Sequence, residues 1–65
     1  MIDRHKYPEL NLILWDTASR FIEPKFAFKM YEKRWNYIHK DKLTPTEKEL
    51  IQKLTQDHGN GLFLI

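Results

Sequence analysis

The residue types that perform acid–base, nucleophilic or metal chemistry are present in this chain without the spacing that such chemistry needs. The three histidines, His5, His39 and His58, lack the four-residue spacing that places two metal ligands on one helix face. There is no cysteine, so a thiolate nucleophile, a thiolate metal site and a disulfide are excluded. The carboxylates are scattered rather than paired. We therefore predict that the protein is not an enzyme and uses no cofactor or metal.

Arg34 has the most unusual position. In a helix spanning residues 24–39 it falls within the apolar face, where a guanidinium without a partner is very costly. The sequence leaves three alternatives: a structural ion pair with ring stacking, an anchor for an acidic or phosphate-bearing ligand, or a side chain whose charged end reaches solvent. The candidate partners for the structural alternative are Asp16, Glu47, Trp15 and Trp35.

Aromatic residues are concentrated around the same segment. They are Phe26, Phe28, Tyr31, Trp35 and Tyr37, with Trp15 and Phe21 upstream. Most are expected in the core, because a short chain needs large side chains to bury enough area. Any that stay exposed would form a docking patch, since Tyr, Trp and Arg dominate interface hot spots. The predicted binding residues are Arg34, Trp35, Tyr31, Lys29 and Lys33.

A stripe of basic residues forms a second candidate binding surface. Lys25, Lys29 and Lys33 are spaced by four, and the stripe continues to Lys40 and Lys42. Such a stripe is usually the solvated face of a helix. The alternative is weak nucleic-acid binding through phosphate contacts, with neighbouring aromatic rings stacking on bases. The formal net charge of +2 is low for a dedicated nucleic-acid binder.

Three prolines mark the starts of the elements that would position these residues. Pro8, Pro24 and Pro45 each suit the first position of a helix. They predict helices from Pro8 to about Trp15, from Pro24 to His39 as the central helix, and from Pro45 to Asp57. The first segment is ambiguous, because Leu10 to Trp15 could also form a buried strand.

The start of the third helix is the best specified. Thr44 and Glu47 are spaced as a capping box, in which each side chain bonds the other residue's amide, and Gly59 is a natural stop. Leu43 to Ile51 also resembles the opening of the helix-turn-helix in LuxR-type regulators and sigma factors. The resemblance covers about nine residues and implies a recognition helix after this one. The four apolar residues after Gly61 are too few for a recognition helix. We therefore interpret the likeness as a sign of a well-capped helix start.

The whole chain is expected to form one small domain over residues 1–65. Its 42% hydrophobic content suffices for a packed core. The predicted fold is mainly α, with three short helices and an extended apolar tail, Leu62 to Ile65, lying across the core. The alternative is an α+β fold of β-α-α-β order with paired terminal strands.

Location and function follow from what the chain lacks. It shows no secretory signal and no apolar run long enough to span a membrane, so a cytoplasmic location is expected. The leading hypothesis is a small non-catalytic protein-interaction or accessory module. Its partner would be another protein or a second copy of the chain in a homodimer.

Overall fold

The computed structural model describes residues 1–59, which form three α-helices and a two-stranded antiparallel sheet. In chain order the elements are β1 (Ile2–Asp3), α1 (Pro8–Ile13), β2 (Phe21–Ile22), α2 (Pro24–Lys33) and α3 (Pro45–His58). Short 3₁₀ turns occupy Arg4–Lys6, Trp35–Tyr37 and Lys40–Lys42. The mainly α fold class is confirmed.

Each α-helix begins at its proline, as predicted. In α3 the Thr44 hydroxyl accepts a hydrogen bond from the Glu47 amide at 3.2 Å. The helix ends at Gly59, whose N–H donates to the Thr55 carbonyl at 2.9 Å. These local signals place α3 within one residue of its predicted end.

The first segment is helical, so the strand alternative for Leu10 to Trp15 is wrong. The helix is also shorter than predicted, since α1 ends at Ile13 and Trp15 lies in the turn that follows. The other strand of that alternative, Leu62 to Ile65, lies outside the described residues. The predicted position of the apolar tail across the core lies outside them as well.

The helix predicted from Pro24 to His39 is correct for its first ten residues and wrong for the rest. The five residues that follow Arg34 are only moderate helix formers. They are Trp35, Asn36, Tyr37, Ile38 and His39. Tertiary contacts then favour leaving the helix: Ile38 turns into the core, and the His39 N–H donates to the Glu9 carboxylate at 2.7 Å. A continued helix would commit that N–H to the carbonyl four residues earlier.

The sheet is small and was not predicted. Ile2 lies opposite Ile22, and Asp3 lies opposite Phe21. Two residues per strand give no alternating pattern long enough to detect in a sequence. Because β1 precedes α1 and β2 follows it, the pairing brings together the two ends of the segment that contains α1.

The core is built around α2, which contacts both α1 and α3. Its buried hydrophobic members are Leu10, Ile13, Leu14, Ile22, Ala27, Phe28, Met30, Tyr31, Ile38 and Leu54. Four of these ten belong to α2. The predicted central position of this helix is therefore correct. Within residues 1–59, no helix combines the length and apolar character needed to cross a bilayer.

Candidate functional site

Glu47 is fully buried, and its carboxylate caps α1 from the neighbouring helix α3. It accepts hydrogen bonds from the backbone N–H groups of Glu9 at 3.2 Å and Leu10 at 2.9 Å. These amides belong to the first turn of α1, whose N-cap residue, Tyr7, provides no side-chain cap. A negative charge is favourable at this end of a helix. The two helix starts are thus joined by one side chain.

This role corrects half of the predicted capping box. The Thr44 half forms, whereas the Glu47 carboxylate does not reach back to the Thr44 amide. Buried donors cost more free energy when unpaired than a donor that water can reach. The Glu47 carboxylate therefore bonds the buried amides of α1 rather than the amide of Thr44, which is an exposed residue.

Tyr31, one of the predicted binding residues, lies in the core beside Glu47. Its hydroxyl donates to Glu47 Oε2 at 2.7 Å. Burial and the adjacent carboxylate raise the pKa of Tyr31 well above its ordinary value of 10, so the phenol stays neutral. Tyr31 therefore packs and bonds within the core, and no part of it is exposed for a partner to contact.

Arg4 is a buried cation that the sequence analysis missed. The guanidinium has five N–H donors, and all five have acceptors. The acceptors are the side-chain oxygen of Asn11 and the backbone carbonyls of Asn11, Leu14, Thr17 and Ser19. Arg4 thus satisfies the C-terminal end of α1 and fixes the loop that follows it. No signal in the sequence marks it, because its acceptors are mostly backbone atoms.

Arg34 adopts the first of its three alternatives, an ion pair with ring stacking. Both of its terminal nitrogens bond the Asp16 carboxylate, at 2.9 and 2.8 Å, and one also bonds the Ile13 carbonyl at 2.7 Å. The guanidinium lies 4.1 Å from the centroid of the Trp15 ring. Its hydrogen bonds lower the pKa of Asp16 to about 2. A role for Arg34 in binding a partner stays a prediction.

Trp15 and Tyr37 form an exposed aromatic pair next to this ion pair. Their ring centroids are 5.5 Å apart with planes at 80°, an edge-to-face contact. Trp15 is 60% exposed and Tyr37 is 62% exposed. We call Trp15, Asp16, Arg34 and Tyr37 the aromatic–arginine patch. The turns that end α1 and α2 bring these residues together, although they are about 20 residues apart in sequence.

The other predicted binding residues lie elsewhere. Trp35 is partly buried and packs against the core, with Lys40 Nζ 5.6 Å from its ring centroid. Lys29 and Lys33 are exposed on the outer side of α2, beside Phe26. The five predicted residues therefore do not form one site. The sequence predicts that all five lie on one helix from Pro24 to His39, whereas the end of α2 at Lys33 separates Arg34 and Trp35 from the other three.

The polar interior has the character of a structural network. Glu9 accepts a hydrogen bond from the His39 N–H and has its Oε1 atom 3.2 Å from His39 Nδ1. In the described part of the chain, every buried polar side-chain atom has a hydrogen-bond partner. Residues 1–59 also contain no group of three or more His, Asp or Glu side chains placed to hold a metal ion.

Comparison of the chain with known proteins gives no further guide to its role. No protein-family model, no curated protein and no solved structure matches it. Its function must therefore be argued from the geometry of its own residues.

Proposed function

We propose that this protein is a small non-catalytic interaction module that docks a partner protein on the aromatic–arginine patch. The observation that carries the proposal is that Trp15 and Tyr37 are both more than half exposed and pack edge to face against each other rather than into the core. Large aromatic residues normally gain free energy by burial. An ordered, exposed pair of them is the kind of surface that a partner buries.

The neighbouring ion pair prepares the patch for binding. Arg34 stacks on the Trp15 ring and is itself bonded to Asp16, so the ring would lose its contact with the guanidinium if it left this position. A side chain ordered in advance loses less conformational entropy when a partner binds. The half-exposed Asp16 carboxylate supplies hydrogen-bond acceptors at the edge of the rings. An apolar centre with a polar rim is the usual composition of a protein interface.

A non-catalytic role is favoured by the position of the titratable groups. Glu47 and Tyr31 lie in the core and bond to one another and to backbone amides. A general acid or base must reach a substrate within hydrogen-bonding distance. Because Glu47 is committed to capping α1, using it as a base would remove the cap.

The patch can be tested by affinity capture from cytoplasmic extract, followed by quantitative mass spectrometry. Tyr37→Ala removes half of the aromatic pair, and Phe21→Ala removes a comparably exposed ring outside the patch. We expect Tyr37→Ala to lower recovery of the partner about tenfold. Phe21→Ala should leave recovery unchanged. Cytoplasmic extract is chosen because the sequence predicts a cytoplasmic location.

Light scattering separates a foreign partner from self-association. If the patch joins two copies of the chain, the wild-type protein will be a dimer and Tyr37→Ala a monomer. If it binds another protein, both will have the same mass, and the purified partner will bind only the wild type. Recovery that is equal for Tyr37→Ala and Phe21→Ala, with no change of mass, would contradict the proposal.

A further inference from the structure

The outer side of α2 carries a second surface that shares no residue with the aromatic–arginine patch. Lys25, Lys29 and Lys33 are exposed there at four-residue spacing, over a length of about 12 Å. None of the ion pairs among residues 1–59 involves them. Lys40 and Lys42 lie in a separate 3₁₀ turn, so the stripe on α2 consists of these three lysines.

An apolar edge runs beside the lysines. Phe26 is 40% exposed, although the core-facing side of α2 is well packed. It lines an open depression of about 610 Å³ together with Lys29, Met30, Glu32 and Lys33. Phe26 also lines two smaller depressions, of about 280 and 270 Å³. One of these continues the surface to β2, and the other continues it to Lys25.

We call Lys25, Phe26, Lys29 and Lys33 the lysine–phenylalanine face. We propose that this face binds an acidic amphipathic helix of a partner protein. Carboxylates spaced by three or four residues on such a helix would meet the lysines, which repeat with the same period. Its apolar stripe would cover the Phe26 ring, which anchors the contact. A helix of two to three turns matches the length of the stripe, and helix-in-groove docking is a recurrent mode of peptide recognition.

Charge and ring placement favour a peptide over a nucleic acid. Single-stranded nucleic acid is bound by successive aromatic platforms that stack its bases. Among the described residues, Phe26 is the one aromatic that lines the main depression, and Phe21 is the one further aromatic that lines either of the smaller ones. Glu32 lines the same depression and Glu23 lines the smaller ones, so evenly charged phosphates would meet repulsion. A peptide can place neutral or basic residues opposite these carboxylates.

The proposal is tested by NMR titration of the ¹⁵N-labelled protein with a designed acidic amphipathic peptide of about 18 residues. A matched peptide has each Glu replaced by Gln, and an oligothymidine of similar length is the nucleic-acid probe. Lys29→Glu/Lys33→Glu reverses two charges on the proposed face. Lys48→Glu/Lys53→Glu makes the same charge change on exposed positions of α3.

We expect saturable binding of the acidic peptide, with chemical-shift changes centred on Phe26, Lys29 and Lys33. The Gln peptide and the Lys29→Glu/Lys33→Glu protein should each bind about tenfold more weakly. The α3 variant should bind like the wild type, and so should Tyr37→Ala. The proposal is overturned if the acidic peptide does not bind, if both charge-reversed proteins bind it equally, or if oligothymidine binds more tightly at the same residues. Because the two surfaces share no residue, this result is independent of the test on the aromatic–arginine patch.

Discussion

At the scale of single residues, two arginines are accommodated in different ways. Arg4 is buried among backbone carbonyls, and its hydrogen bonds organise a loop. Arg34 lies at the surface end of α2 and is neutralised by Asp16. Burying a cation costs free energy that only well-placed acceptors offset. Arg4 is therefore expected to contribute to stability, whereas Arg34 forms the ion pair and the ring contact of the aromatic–arginine patch.

The first prediction concerns Arg4. Arg4→Lys keeps the charge but has at most three donors for five acceptor contacts, so we expect a loss of about 2–3 kcal/mol in the free energy of unfolding. Urea denaturation followed by circular dichroism measures it. Arg20→Lys is the matched control, because the Arg20 side chain is 56% exposed and lysine keeps the charge opposite Asp3, so the midpoint should hardly change. Equal midpoints for both variants would contradict the buried role of Arg4.

A second prediction concerns acid. The pKa of Asp16 is lowered from 3.8 to about 2 because Arg34 bonds its ionised form. A lowered folded-state pKa gives a stabilising contribution that is complete above pH 3.8 and is lost as the pH falls through about 2. Melting temperatures of the wild type and Asp16→Asn should therefore differ by a constant amount above about pH 4 and converge toward pH 2. A difference that grows on acidification would refute the assignment.

At the scale of elements, Glu47 ties the three helices together. It belongs to α3, caps the first turn of α1, and accepts the hydroxyl of Tyr31 from α2. A six-residue helix such as α1 is too short to be stable by itself. Its start is therefore supplied from outside by a side chain that is 37 residues away from Leu10 in sequence.

A third prediction tests this cap. Glu47→Gln replaces one acceptor oxygen by a donor that faces N–H or O–H groups, so we expect a loss of about 2–4 kcal/mol. Tyr31→Phe removes one of the three hydrogen bonds and should cost about 1.5 kcal/mol. Glu49→Gln, on an exposed position of the same helix, should stay within about 0.5 kcal/mol. Denaturant midpoints measure all three, and an effect of Glu47→Gln no larger than that of Glu49→Gln would exclude the capping role.

At the scale of the whole molecule, one core serves all the helices of the described chain. Because α2 contacts both α1 and α3, neither outer helix buries its apolar side independently. A domain of this size that has no cysteine, and therefore no disulfide, has a small margin of stability, of about 3–5 kcal/mol. The buried charged side chains therefore affect stability strongly, because the free energy lost on replacing one of them approaches the whole free energy of unfolding.

A fourth prediction follows, that unfolding is a single cooperative transition. Trp15 reports on the contact between the ends of α1 and α2, and Trp35 reports on the edge of the core. Fluorescence of the single-tryptophan variants Trp15→Phe and Trp35→Phe should share its urea midpoint with far-ultraviolet circular dichroism measured on the same variant. An earlier midpoint for the Trp15 signal would instead indicate that the aromatic–arginine patch opens separately.

The sequence by itself determined where the helices begin, which helix is central and where α3 ends. These features depend on neighbours within about four residues, such as a proline at the first position or the Thr44 cap. It also identified Arg34 as needing a partner, and Asp16 and Trp15 as candidates for that role. Local chemistry and the helical period were sufficient for this.

Only the tertiary structure decided where α2 ends, which way Glu47 points, and which aromatic rings remain exposed. Each depends on residues distant in sequence: the Glu9 carboxylate takes the His39 amide, and the α1 amides take Glu47. The exposed Trp15–Tyr37 pair exists because two helices end side by side. A helical wheel describes one element at a time, so it cannot show donors and acceptors that become neighbours only when the helices pack.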